Sequence, residues 1–93
     1  MKIKFPKKSL GQNFLTDKNI INIIVKTANI KKNDTILEVG PGTGNLTEKI
    51  LLNNPKKIIA VEKDSYLVKK LFSKFNKKII IINDDILKID ESK

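Results

Sequence analysis

The sequence has 93 residues, room for one small domain or a piece of a larger one, and its 40% hydrophobic content marks a globular chain. It contains no cysteine and no histidine, which excludes disulfides, a thiolate or zinc metal site and a histidine general base within these residues. The formal charge is +9, with lysine as the only basic residue type, so the surface is either simply lysine-rich and solvated or suited to polyanions, nucleic acid first, held by mobile point charges rather than bidentate forks.

In chain order, Met1 to Asn13 is basic, contains Pro6 and Gly11, and has no sustained period. Residues 1–16 read as a loop or basic arm. No secretory leader is expected, because no apolar stretch of the needed length follows Met1–Lys8. The longest apolar burst, "KKIIIIN", is far too short to span a bilayer, so no membrane partner and an intracellular, cytoplasmic location are expected.

Thr16 and Asp17 are good N-cap types, and Ile20, Ile21, Ile24, Val25 and Ala28 follow helical spacing to about Asn29. Thr35 to Val39 reads as a strand apolar enough to be buried on both faces. Gly44 to Asn53 reads as a helix with Leu46, Ile50 and Leu51 inward, and Lys57 to Glu62 as a second strand. Asp64 caps a third helix whose stripe is Leu67, Val68, Leu71, Phe72 and Phe75. Lys78 to Asn83 is a third strand, after which "DDILKIDESK" trails off.

The expected fold is therefore α/β: a helix, then β-α-β-α-β, with parallel strands joined by right-handed crossovers. This is the first half of a doubly wound, Rossmann-like sheet. In such sheets the first strand is central, so Thr35–Val39 is expected to keep an unpaired apolar edge that makes the chain poorly stable alone.

Three of the chain's four glycines, Gly40, Gly42 and Gly44, fall within five residues after the first strand. A tight strand-to-helix turn usually needs one. The dinucleotide fingerprint would require glycine at Asn45, and "GPGTGN" also lacks the lysine and hydroxyl residue of a P-loop. Glu62 closes the second strand, 22 residues after Gly40, where a carboxylate accepts from a ribose diol. Asp84 and Asp85 share that rim, either as acceptors for an adenine amino group or as a solvated turn. Asp64 is read as a helix cap. Together these residues describe a nucleoside site without a phosphate clamp, best matched by S-adenosylmethionine, with NAD as the generic competitor.

"LEVGPGTGNLTEKI", "IAVEKD" and "INDDIL" resemble motifs of class I S-adenosylmethionine-dependent methyltransferases. "KKSLGQNFLTD" resembles the leader of the ribosomal RNA adenine-N6 dimethyltransferase family, and the resemblance runs from about Lys8 to Leu87. It implies that Asn13 and Leu15 close over the cofactor from the arm. It also implies that Gly40 lies against the methionine part of the cofactor, that Glu62 holds the ribose and that Asp85 holds the adenine.

The implied reaction is dimethylation of N6 on two adjacent adenosines in a 3′-terminal hairpin of small-subunit ribosomal RNA, in the pre-30S particle. The family orients the amine with an Asn-Leu/Ile-Pro-Tyr/Phe motif, which these residues lack. No residue is therefore expected to be catalytic, and the 93 residues alone are expected to be inactive. The expectation is an N-terminal, cofactor-binding part (1–16 arm, 17–93 incomplete core) without the later strands and the C-terminal helical domain. The alternatives are a large-subunit, erythromycin-resistance-type adenine methyltransferase, a non-catalytic RNA-binding fragment, or a nicotinamide-dependent domain.

Overall fold

The computed structural model describes residues 2–4 and 17–88. In chain order the elements are β1 (Lys2–Lys4), α1 (Lys18–Ala28), β2 (Asp34–Val39), α2 (Asn45–Leu51), β3 (Lys57–Glu62), α3 (Ser65–Phe75) and β4 (Ile80–Asn83). Short 3₁₀ turns follow α3 and β4 at Asn76–Lys78 and Ile86–Lys88. All strand pairs are parallel and the sheet order is β1-β2-β3-β4. This is the expected β-α-β-α-β half of a Rossmann-like sheet, with one strand added at the amino-terminal side.

Local chemistry sets the boundaries. The Asp17 carboxylate accepts from the N–H groups of Asn19 and Ile20 to start α1. Asn29, in the left-handed region at φ +50°, ends it. Asp64 caps α3 in the same way, through Tyr66 and Leu67.

Three expectations are corrected. Lys2–Lys4, read as arm, is a strand lying along Asp34–Ile36 of β2. The edge expected to be bare is therefore paired over its first half. No strand partner is described on that side of Leu37–Val39. A three-residue "KIK" is too short and too basic to announce itself as a strand, and its pairing is set by the neighbouring edge.

The second correction concerns burial. Strand order proceeds in one direction and parallel crossovers are right-handed, so all three helices cover one face of the sheet. Ile36, Ile58, Ala60 and Ile79 meet Ile21, Leu46, Ile50, Leu71 and Phe75 in a single core. Residues alternate in a strand, and on the other face Thr35 and Val61 are buried while Val39 is 37% exposed, Ile80 47% and Ile82 38%. The expected two-sided burial of β2 therefore holds for most of the strand and fails at its last residue, Val39, and the face opens along β4.

The third is Phe72, placed in the inward stripe of α3 but 58% exposed. It lies one residue, about 100° of helical turn, beyond Leu71, which fills the contact with the sheet. Among the described residues no helix is long and apolar enough to cross a membrane.

Candidate functional site

The carboxyl ends of β2, β3 and β4 lie side by side, and their loops enclose an open cavity of about 500 Å³. Gly40, Glu62 and Asp85, three of the sequence-expected site residues, line this one cavity together with Asp84. The other two, Asn13 and Leu15, lie outside the described residues.

The glycine turn begins as a continuation of the sheet, since the Gly40 N–H donates to the Val61 carbonyl at 2.7 Å. Gly40 has φ +64°, a conformation side chains rarely adopt, and a Cβ built there would meet nothing within 4 Å. The space above it is open to a ligand. Gly44 serves packing instead. Its φ is +86°, and a Cβ there would sit 2.5 Å from the Phe75 ring. One glycine gives access and the other lets α2 start against α3.

Glu62 ends β3 and is only 6% exposed. One carboxylate oxygen accepts from the Gly42 N–H at 3.3 Å and the other from the Asp64 N–H at 3.0 Å. The side chain thus ties the glycine turn to the start of α3, and each oxygen keeps a second acceptor position. Asp85 uses one oxygen to accept from the Leu87 N–H at 2.9 Å, capping the 3₁₀ turn. Asp84 accepts from the Asp85 N–H at 2.7 Å. The two readings left open for this pair, turn and acceptor, are compatible in this geometry.

Sequence reasoning missed two supporting groups. The Asn83 amide donates to the carbonyls of Glu62 at 3.0 Å and Lys63 at 3.3 Å, and its oxygen accepts from Ser65 Oγ. It locks the end of β4 to the β3–α3 loop. Only its place between an apolar run and two acids hinted at this. The second is Glu38, fully buried, whose carboxylate accepts from the Thr47 hydroxyl and fixes α2 to the end of β2. Glu38 stands two residues before Gly40, but the partner nine residues on carries no local signal.

The donor set defines what fits. Glu62, Asp64, Asp84 and Asp85 surround the cavity and, among the described residues, Lys63 is the one basic residue lining it. Val39, Leu67, Ile86 and Leu87 supply apolar walls. A pyrophosphate would face like charge. A nucleoside with a neutral or cationic tail would find acceptors for its hydroxyl and amino groups and apolar surface for its base.

The model of the family described as "Ribosomal RNA adenine dimethylase" matches residues 4–93. The chain is 55% identical over 86 residues to the ribosomal RNA small subunit methyltransferase A of Pelagibacter ubique, covering 92% of this chain and 32% of that protein. The same-named protein of Sulfurihydrogenibium sp. is 52% identical over 89 residues, covering 96% of this chain and 33% of its own length. That of Staphylococcus epidermidis is 49% identical over 90 residues, with 94% and 30% covered. The chain spans about a third of the length of these curated relatives. With the family model matching nearly the whole sequence, the chain belongs to the ribosomal RNA adenine dimethylase family.

Proposed function

We propose that this chain is the main part of the S-adenosylmethionine-binding half of a ribosomal RNA adenine-N6 dimethyltransferase acting on the small ribosomal subunit in the cytoplasm. The observation that carries the reading is the acid-lined cavity over the Gly40 turn, whose acceptors and apolar walls suit a nucleoside and whose negative charge disfavours phosphate. S-adenosylmethionine matches that chemistry: it has a ribose diol, an adenine amino group, a sulfonium cation and no phosphate. The names of the relatives support small-subunit RNA, rather than large-subunit RNA, as the partner, and we propose that it is met in an immature subunit.

In this reading Glu62 accepts from the ribose hydroxyls, its orientation set by the Gly42 and Asp64 amides. Asp85 accepts from the adenine amine, its loop held by Asn83. Gly40 leaves room for the methionine part, and Asn13 and Leu15 close over it. When bound, the cofactor supplies an electrophilic methyl group. The chain's own contribution is position, which carries much of the rate of an in-line transfer. The Asn-Leu/Ile-Pro-Tyr/Phe segment that would orient the amine does not occur in these residues. Methyl transfer is therefore proposed for a polypeptide carrying both halves, and cofactor binding for this one.

Calorimetric titration of the chain with S-adenosylmethionine, S-adenosylhomocysteine and NAD tests the reading. Saturable binding of the first two, undisturbed by excess NAD, is expected. Binding of NAD in preference to S-adenosylmethionine would overturn it.

A further inference from the structure

A lysine pair stands at the start of each of β2, β3 and β4: Lys31-Lys32 before β2, Lys56-Lys57 at the first residue of β3, and Lys77-Lys78 before β4. Because the strands are parallel, all three pairs fall at one end of the sheet, the end opposite the candidate cofactor site. They are neighbours there. Lys56 N–H donates to the Asp34 carbonyl at 2.8 Å, and Lys57 is the register partner of Thr35. Lys78 lies two residues before Ile80, and Lys57 two before its partner Ile59, so the pairs step across the sheet in order.

All six side chains are exposed. Among the described residues none of the six is within ion-pair distance of a carboxylate. The one acid in these turns, Asp34, is buried and accepts from the Lys31 backbone N–H at 2.8 Å. Adjacent strands are about 4.8 Å apart, so six charges occupy a band roughly 10–15 Å wide. A nucleic-acid duplex carries one charge about every 1.7 Å of its axis, so a band of that width meets several phosphates at once. Four acids, Glu62, Asp64, Asp84 and Asp85, gather about 20 Å away at the other end of the strands.

We infer that this lysine rim is a second RNA-contact surface, which grips the phosphate backbone of a helix other than the one presenting the target base. It deepens the functional reading above and rests on it for the identity of the polyanion. Lysine point charges without aromatic or forked partners give grip without sequence selectivity.

The test uses the 93-residue chain and a fluorescein-labelled RNA hairpin, with binding followed by anisotropy across a salt series. In one variant Lys32, Lys56, Lys57 and Lys78 are changed to glutamine. In a charge-matched control the exposed Lys18, Lys26, Lys69 and Lys70 are changed to glutamine. Thermal melts establish that both remain folded.

The rim variant is expected to flatten the slope of log K against log salt by about 3, and the control by less than about 1. Equal losses in the two variants, or an unmodified chain that does not bind the hairpin, would overturn the inference. So would loss in the rim variant of binding to phosphatidylserine vesicles while RNA binding persists, since the surface would then be a lipid contact. Cofactor titration of the same proteins separates the two readings. If the unmodified chain fails to bind S-adenosylmethionine, the functional proposal fails and the rim result stands by itself.

Discussion

The two ends of β2, β3 and β4 belong to the same three strands, yet they are held together by different physics. At the carboxyl end the loops are cross-linked. Gly40 bonds to Val61, Glu62 to the amides of Gly42 and Asp64, Asp84 N–H to the Glu62 carbonyl, and Asn83 to two carbonyls of the β3–α3 loop. At the amino end, among the described residues, a single backbone bond between strand loops joins Lys56 to Asp34, and the remaining features are exposed charge. Cross-linked loops hold acceptors in fixed geometry and suit a small ligand of defined shape. Unlinked lysines suit a diffuse polyanion, for which position matters less than number. Substitutions at the two ends should therefore differ in kind: local and large at one, additive and salt-dependent at the other.

The largest expected effect lies where the carboxyl-end turn enters the core. Gly44→Val places a side chain at φ +86° and drives a Cβ to 2.5 Å from the Phe75 ring. Overpacking costs about 1–3 kcal/mol and the left-handed conformation about 1–2 more, so the chain should lose about 2–5 kcal/mol by denaturant titration. A loss below about 1 kcal/mol would show that α2 and α3 separate freely and that the turn is not built on this contact.

Next is Glu62→Ala, which removes the carboxylate staple and the proposed ribose acceptor together. Affinity for S-adenosylmethionine should fall by about 1–3 kcal/mol, the scale of a lost charge-assisted hydrogen bond. Unchanged affinity in calorimetry would remove Glu62 from the site and leave it as a loop tie alone.

The same contrast explains what could be read from the sequence. The bounds of α1, β3 and α3 and the acidic character of the carboxyl rim were legible, because apolar period, caps and the residue at a strand's end are local signals. Gly40, Glu62 and Asp85 could be placed on one rim, since parallel strands put all carboxyl ends together. Other features depend on contacts between distant residues. β1 is a strand only because β2 offers it an edge. Phe72 leaves the core because α3 meets the sheet through Leu71 and Phe75. Asn83 and Thr47 act through partners brought near by the fold. The lysine pairs were visible from the start as charge, and only strand direction turned three separate dipeptides into one surface.

The smallest effect sharpens the comparison within the carboxyl rim. Asp64 lines the same cavity as Glu62, but its carboxylate is committed to the N–H groups of Tyr66 and Leu67 at the start of α3. Its backbone N–H, which any residue supplies, is what Glu62 uses. Asp64→Ala should therefore cost about 1 kcal/mol of stability as a lost N-cap, while Asp64→Asn, which caps as well, should cost little. Neither should change cofactor affinity by more than about 0.5 kcal/mol. The measurement is a paired one, denaturant midpoint and calorimetric affinity on each variant. If Asp64→Ala weakened cofactor binding as much as Glu62→Ala, the cavity would be reading net negative charge, and the carboxyl end would then work by the same diffuse electrostatics as the lysine rim. A stability loss without an affinity loss keeps the two ends distinct, because it shows that the position of each acid, and not their sum, defines the site.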